Sequence, residues 1–156
     1  MASKYSDGGF QEGAAFVMVR IESVPVDQAM ATHIAGIVNR AFSVEAWFVD
    51  GDRITPDGAG RLAADAAGQF FVAYADEGSP IGCVYTEIRD AGVGYFGLLA
   101  VVAEHRGAGI GDQLVQRAEA YLKGRGRHTI EITVVDLRTE LFAYYERRGY
   151  HVDGRT

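Results

Sequence analysis

Apolar and polar residues recur along the chain with two spacings, one typical of β-strands and one typical of α-helices. The first strand-like run, FVMVRIESV within residues 14–24, is followed by Pro25 and by apolar residues at helical spacing, which predicts a strand and then a helix. Further strands are predicted over residues 69–75, 81–89, 94–102 and 129–135, and a last one from Tyr150. Further helices are predicted over residues 61–67, 109–124 and 137–149.

The connections between three consecutive strands are short and contain turn-forming residues, Asp-Glu-Gly-Ser at 76–79 and Asp-Ala-Gly at 90–92. Strands joined in this way pair antiparallel. The order of elements therefore predicts an α/β fold with a mixed, mostly antiparallel central sheet flanked by helices. Residues 1–13 are rich in Gly and polar side chains, which predicts a mobile tail followed by a single domain over residues 14–156.

The composition is that of an ordinary globular domain. Of the 156 residues, 48% are hydrophobic and 23% charged, which excludes a disordered chain. The sequence predicts no membrane span because it has no run of 18 apolar residues, and its polar N-terminus lacks the pattern of a secretory signal. Cys83 is the only cysteine, which excludes a disulfide framework and predicts a protein of the reducing cytoplasm.

The net charge of −6 is unevenly distributed. Residues 1–103 contain 6 Lys or Arg against 13 Asp or Glu, whereas residues 104–156 contain 9 against 8. An acidic chain is a poor partner for nucleic acid, so none is predicted. An anionic ligand meets the least repulsion in the near-neutral C-terminal third, although chance alone also produces such an imbalance.

The strongest local motif is the run RGAGIG at residues 106–111, between a predicted strand and a predicted helix. Its three glycines let the backbone approach a ligand closely, and the N–H groups of the first helical turn favour a phosphate. Arg106 adds a charge-assisted contact to an oxyanion. The run is not a P-loop, because no Lys follows its last Gly, and it lacks the third Gly of the dinucleotide fingerprint. The alternative interpretation is a Gly-rich turn that tightens the junction between strand and helix.

Residues 98–150 resemble the GCN5-related N-acetyltransferases. Three motifs carry the resemblance: the strand Leu99-Ala100-Val101, the loop R-x-x-G-x-G from Arg106, and Y-E-x-x-G-Y from Tyr145. The spacings between the three also match, while the N-terminal two thirds of the chain match only in the order of elements. The resemblance implies an acyl-CoA N-acyltransferase fold with acetyl-CoA as the acetyl donor.

The same resemblance implies how acetyl-CoA is bound. The backbone amides of the loop hold the pyrophosphate, the strand at 99–101 pairs its backbone with the pantetheine arm, and a gap between this strand and the one at 129–135 admits the arm. Asp136 stands where the family often has an Asn that contacts the cofactor, and it equally suits a helix N-cap. The residues assigned to acetyl-CoA are Leu99, Ala100, Val101, Arg106, Gly107, Ala108, Gly109, Ile110, Gly111 and Asp112.

Two catalytic roles follow from the resemblance and from the chemistry of amide formation. Tyr145 matches the family tyrosine that protonates the departing thiolate, whereas its neighbour Tyr144 is expected to pack on the sheet. Transfer to an ammonium also needs a base, and carboxylates are the usual choice. Glu87, Glu104 and Glu131 are the candidates, of which Glu87, on the strand beside the cofactor strand, is the predicted catalytic residue.

Other chemistry-bearing residues have simpler interpretations. His105 and His128 have no ligand-like partners in the sequence, so no metal site is predicted. Cys83 lies in an apolar run and is expected in the core, which disfavours a two-step transfer through cysteine. Segment 45–53, with Trp47 and several acids, suits a pocket for a cationic amine. The alternative for that segment is a surface loop held by the packing of Trp47.

Together these observations predict transfer of an acetyl group from acetyl-CoA to a primary amine by direct attack in a ternary complex. A backbone N–H near Val101 is expected to polarise the thioester carbonyl. The acceptor is a small molecule or a protein amine, and the alternative function is a catalytically silent module that binds CoA. Residues 150–156 supply only one final strand, so an open sheet edge predicts either residues beyond Thr156 or a homodimer.

Overall fold

The computed structural model describes residues 18–41, 54–105, 107–132 and 139–151 of the chain. Within them the elements are β1 (Arg20–Ser23), α1 (Gln28–Ala41), α2 (Pro56–Ala64), β2 (Gly68–Tyr74), β3 (Pro80–Ile88), β4 (Val93–Val101), α3 (Ile110–Gly124), β5 (Thr129–Glu131) and α4 (Thr139–Arg147). A 3₁₀ turn at Ala103–His105 lies between β4 and α3. The predicted tail at 1–13, segment 45–53, Arg106, Asp136 and the final residues 152–156 lie outside the described residues.

The five strands form one sheet in the order β1-β2-β3-β4-β5. Strands β2, β3 and β4 pair antiparallel, as their short turns predicted, and β1 also pairs antiparallel with β2. Strands β4 and β5 run parallel because α3 connects them. The predicted α/β class, with a mostly antiparallel central sheet flanked by helices, is confirmed. None of the helices in the described part of the chain is long and apolar enough to cross a membrane.

Helix α2 begins earlier than the sequence analysis predicted. The expected helix at 61–67 instead spans Pro56–Ala64. Thr55 is its N-cap and accepts a hydrogen bond from the Gly58 N–H at 3.0 Å, while Pro56 occupies the first helical turn. This start signal outweighs the low helix propensity of the glycines in the first two turns.

The side chain of Asn39, near the end of α1, holds the residue that precedes this N-cap. Its amide nitrogen donates to the Ile54 carbonyl at 2.7 Å, and its amide oxygen accepts from the Ile54 N–H at 2.9 Å. Ile54 is buried, so both of its backbone groups need partners within the protein. Asn39 therefore fixes where the chain returns to the core after α1.

The helices pack on both faces of the sheet. A Cβ on Gly82 or Gly94 would meet Leu114 or Leu122 of α3 at 3.1 and 2.8 Å, so α3 lies close against one face. A Cβ on Gly68 would meet both the Leu62 carbonyl of α2 and the hydroxyl of Tyr85 at 2.6 Å. Side chains alternate between the two faces along each strand, and the register places Gly68 and Gly82 on opposite faces of the sheet. Helix α2 therefore lies on the face opposite to α3. We call these the α3 face and the α2 face.

Strands β4 and β5 pair over only a short stretch. Their partners are Val93 with Thr129, Gly94 with Ile130, and Tyr95 with Glu131. From Phe96 to Ala100, β4 has no further β5 partner among the described residues. This stretch includes Leu99 and Ala100, which the sequence analysis assigned to the pantetheine arm.

Candidate active site

The loop that follows β4 is shaped for close approach of a ligand to its backbone. Gly107 and Gly109 have φ of 84° and 80°, in the left-handed region that favours glycine, and Gly109 is the N-cap of α3. A Cβ on Gly107 would have no heavy atom within 4 Å, so this side of the loop is open. The helix begins without a side-chain cap at Gly109, which leaves the N–H groups of its first turn directed toward the loop.

Contacts between the first turn of α3 and the rest of the fold hold this loop in place. Ile110 is buried, and an ideal Cβ on Gly111 would lie 3.9 Å from Val101, so the helix starts directly against the end of β4. Gln113 accepts a hydrogen bond from the Val19 N–H at 3.1 Å and donates to the Gly109 carbonyl at 3.3 Å. Of the residues assigned to acetyl-CoA, all but Arg106 are described, and they form one continuous strand, loop and helix start.

A β-bulge interrupts β4 within this segment. Cys83 pairs with Ala100 and Tyr85 pairs with Gly97, so two residues of β4 face only Val84 of β3. One of them, Leu98, has φ of 52°, which is unusual for a residue other than Gly. The Cys83 thiol donates a hydrogen bond to the Leu98 carbonyl at 3.5 Å. The bulge therefore changes the direction of the backbone where β4 is unpaired on its β5 side.

Tyr145 lies on the α3 face beside the point where β4 and β5 stop pairing. Its ring packs against Phe96, the residue after the last β4–β5 pair, with the ring centroids 6.3 Å apart. Tyr144 and Tyr150 surround it edge-on at 4.9 and 5.6 Å. The residue is buried, so its ring orientation is set by three aromatic neighbours rather than by solvent.

Tyr144, expected only to pack, makes a polar contact as well. Its hydroxyl donates to the Asp112 carboxylate in the first turn of α3. Burial and this hydrogen bond raise the pKa of Tyr144 well above its ordinary value. Asp112 Oδ1 is thus engaged by α4, and the backbone N–H of Asp112 is the hydrogen-bond donor that this residue can offer to acetyl-CoA.

The candidate bases lie on the opposite face. The register places Glu87 of β3, Tyr95 of β4 and Glu131 of β5 side by side across three strands. Tyr95 and Phe96 are consecutive in β4 and point to opposite faces, so both carboxylates are on the α2 face while Tyr145 is on the α3 face. The structure therefore brings the predicted acid and the predicted base to the same end of the β4–β5 gap, one from each face.

Arg89, which the sequence analysis did not single out, joins these side chains. Its Nε donates to Glu87 Oε1 at 2.8 Å, and its Nη1 lies 4.0 Å from Glu131 Oε1. Its guanidinium also stacks over the Tyr95 ring at 4.2 Å. The available signal was its position two residues after Glu87 at the end of the strand predicted over 81–89, because residues i and i+2 of extended backbone share one face.

Tyr85 completes the group on the α2 face. Its hydroxyl donates to Glu87 Oε2 at 2.9 Å, and burial together with this hydrogen bond raises the pKa of Tyr85. Its ring lies 5.0 Å from that of Phe70. Phe70 in turn borders a cavity of about 350 Å³, whose walls are Ser23, Val24, Pro25, Val26, Ala63, Gln69 and Phe70. A cavity with a mixed polar and apolar lining thus borders an aromatic ring on the same face as the candidate base.

The remaining candidates lie elsewhere or have structural roles. Glu104 is in the 3₁₀ turn after β4, at the opposite end of the strand from Tyr95. Cys83 is fully buried and burial raises its thiol pKa to about 12, which confirms it as a core residue. His128 is hydrogen bonded to the Thr129 hydroxyl at 3.1 Å. Within the described ranges, no three His, Cys, Asp or Glu side chains are grouped as metal ligands.

A family comparison agrees with this geometry. Residues 35–150 match the profile of the acetyltransferase (GNAT) family, which is most of the chain and includes both faces of the site. A comparison with curated proteins finds no match.

Solved structures of the same fold are numerous. A PaiA N-acetyltransferase from Thermoplasma acidophilum, solved in complex with coenzyme A, is 16% identical with a TM-score of 0.73, covering 88% of this chain and 93% of that one. An aminoglycoside acetyltransferase from an uncultured soil metagenomic sample is 18% identical with a TM-score of 0.70, covering 90% and 96%. A ribosomal-protein-alanine N-acetyltransferase from Brucella melitensis biovar Abortus 2308 is 19% identical with a TM-score of 0.67, covering 89% and 96%. At these identities the likeness shows the fold.

Proposed function

The chain belongs to the acetyltransferase (GNAT) family, and from this premise we propose that it transfers an acetyl group from acetyl-CoA to a primary amine by direct attack in a ternary complex. One observation carries the proposal. Tyr145 packs against Phe96 on one face of the β4–β5 gap, while Glu87 and Glu131 flank Tyr95 on the other. The proposed acid for the leaving group and the proposed base for the attacking amine thus lie at the same end of the β4–β5 gap, on opposite faces of the sheet.

The described residues fit acetyl-CoA, which supplies an activated acetyl thioester when bound. The open, left-handed glycines and the uncapped start of α3 offer backbone N–H groups to a pyrophosphate. From Phe96 to Ala100, the side of β4 that faces β5 has no β5 partner among the described residues, and its backbone groups suit an extended amide-containing arm. Near Val101, a backbone N–H is proposed to polarise the thioester carbonyl.

Proton transfer is assigned to two side chains. The Tyr145 hydroxyl donates a proton to the departing sulfur, in a site where its buried ring is held in one orientation. Glu87 accepts the proton of the amine, directly or through water. A covalent route through Cys83 is disfavoured, because the buried thiol has a pKa of about 12 and forms no thiolate near neutral pH.

The acceptor is proposed to enter from the α2 face. The cavity bordered by Phe70 lies on this face, and the Phe70 ring contacts Tyr85, whose hydroxyl reaches Glu87. The Phe70 ring at the cavity, together with the Glu87 carboxylate beyond Tyr85, suits an amine that is protonated in solution. Similar structures are named for an aminoglycoside and for a ribosomal protein with alanine as acceptor, so both acceptor classes belong in the test.

Release of free thiol from acetyl-CoA tests the function. The panel contains an aminoglycoside, a polyamine and a peptide with N-terminal alanine, each with and without the protein. A disulfide reagent reports released CoA alone, because Cys83 is buried and unreactive in the folded chain. We expect amine-dependent release that exceeds simple hydrolysis. Acetyl-CoA binding without release for any amine would instead support the silent CoA-binding module.

Replacing Glu87 by Gln is expected to lower turnover about 10²-fold, since the amide cannot accept the amine proton. The amide has the same size and still accepts a hydrogen bond from Tyr85. The measurement is kcat against pH with the best amine of the panel. A true base role predicts that activity recovers as the pH approaches the pKa of the amine, because the deprotonated acceptor needs no base.

Glu131→Gln is the matched control, since Glu131 flanks the same tyrosine on the other side. Its effect is expected to stay below about threefold. If Glu131→Gln lowers turnover as much as Glu87→Gln or more, the base is Glu131 and the assignment of Glu87 is wrong.

A further inference from the structure

A carboxylate buried on the inner side of α3 connects this helix to the end of α4. Glu119 is only 3% exposed. Its Oε1 accepts from Arg148 Nη2 at 2.8 Å, and its Oε2 accepts from the Tyr150 hydroxyl at 2.8 Å. Burial of a carboxylate is costly without such partners, so the side chain is held by both contacts at once.

The two partners of Glu119 flank the turn that follows Tyr145. The backbone N–H groups of Arg148 and Tyr150 both donate to the Tyr145 carbonyl at 3.0 Å. The Tyr150 ring packs edge-on against the Tyr145 ring at 5.6 Å and against Phe96 at 6.2 Å. A shift of either partner would therefore move Tyr145 relative to β4.

We propose that Glu119 is a positioning residue for Tyr145: it fixes the turn after α4, and through it the placement of the tyrosine hydroxyl at the β4–β5 gap. This inference rests on the proposed function, because positioning matters only where Tyr145 gives up a proton. Glu119 does not touch the reacting atoms itself.

Charge supports a fixed arrangement. Burial alone would lower the pKa of Arg148, but the nearby Tyr144 and Glu119 outweigh the effect of burial. The pKa of Arg148 is therefore raised. Arg148 also lies 3.9 Å from Asp112 and 5.8 Å from the centre of the Tyr144 ring. A well-packed apolar pair at this position would stabilise a fold equally well. The polar pair adds directional contacts, which restrict how far α4 can slide along α3.

The test is a double-mutant cycle between Glu119→Gln and Tyr145→Phe. The Gln side chain has the same size but lacks the charge and one of the two acceptors. We expect Glu119→Gln to lower kcat about tenfold in the wild-type background, with the KM for acetyl-CoA unchanged. In the Tyr145→Phe background it should lower kcat less than about twofold, since no hydroxyl remains to be positioned. An equal loss in both backgrounds overturns the proposal.

Two further variants separate positioning from stability. Tyr150→Phe keeps the ring and removes the hydroxyl that donates to Glu119, so it gives the same cycle if Glu119→Gln fails to fold. Val115→Ala, buried on the same helix without polar atoms, should lower the melting temperature but leave kcat unchanged below it. A loss of kcat in Val115→Ala equal to that in Glu119→Gln would reduce Glu119 to a stabilising residue.

Failure of the proposed function is distinguishable from failure of this inference. If the wild-type chain releases no thiol with any amine, the function fails, and hydrogen exchange of the Arg148 and Tyr150 amides tests the positioning instead. We expect both amides to exchange faster in Glu119→Gln while the β2 and β3 amides stay unchanged. If the Arg148 and Tyr150 amides exchange at the wild-type rate in Glu119→Gln, the positioning role of Glu119 is wrong, whatever the activity.

Discussion

Replacing Tyr145 by Phe is expected to lower kcat for acetyl transfer about 10²-fold, because the departing thiolate then lacks its proton donor. Phe keeps the ring that packs against Phe96, Tyr144 and Tyr150 and removes only the hydroxyl. The KM for acetyl-CoA should change little, since the loop and β4 are untouched. Initial rates of thiol release at saturating amine give both constants.

Tyr144→Phe is the control, because it removes a hydroxyl from the neighbouring tyrosine of the same helix. That hydroxyl donates to Asp112, so this variant should lose about 1 kcal/mol of stability. Its kcat should remain within about threefold of wild type. Similar small losses of kcat in both variants would reduce Tyr145 to a packing residue and remove the acid from the mechanism.

Replacing Gly109 by Glu is expected to weaken acetyl-CoA binding by about 10²-fold or more. A carboxylate at the N-cap of α3 would face the bound pyrophosphate, and repulsion between charges about 4 Å apart costs about 1–4 kcal/mol in partly solvated surroundings. Titration calorimetry measures this directly, with 1:1 stoichiometry expected for the wild-type chain.

Gly126→Glu is a closely matched control. Gly126 has φ of 79°, against 80° at Gly109, so both substitutions place a non-glycine residue in the left-handed region at a similar cost of about 1–2 kcal/mol. It follows the C-terminal end of α3, about 22 Å along the helix from the loop. We expect the two variants to be equally destabilised and only Gly109→Glu to lose binding. Unchanged affinity in Gly109→Glu would place acetyl-CoA elsewhere.

Local sequence patterns predicted most of the elements well. The antiparallel strands β2, β3 and β4 were placed within about one residue of their observed ends, because turn residues and β-branched runs are local signals. Helix α3 was defined equally well by its apolar spacing and by the glycines at its two ends. The start of α2 was predicted too late, although Thr55 followed by Pro56 is a helix start signal that the sequence contains.

Some features of the candidate site could likewise be found in the sequence, whereas others needed the structure. The loop at 107–111 and the motif from Tyr145 to Tyr150 could be found in the sequence, because each is a contiguous run of residues. The pairing of Glu87 with Tyr95 and Glu131 could not, because it depends on the register of three strands. Arg89 gains its role only when that register brings it over Tyr95 and against Glu87.

The sequence by itself determined the class of fold and the order of its strands and helices, and it predicted a loop suited to an anion. These follow from periodicity, turn residues and glycine spacing, which act over a few neighbouring residues. Only the tertiary structure decided that the proposed acid and the proposed base lie on opposite faces of the sheet at the β4–β5 gap, and that Glu119 holds Arg148 and Tyr150. These contacts join residues about 30 positions apart, and their existence depends on how α3 and α4 pack together on the sheet, which no local pattern encodes.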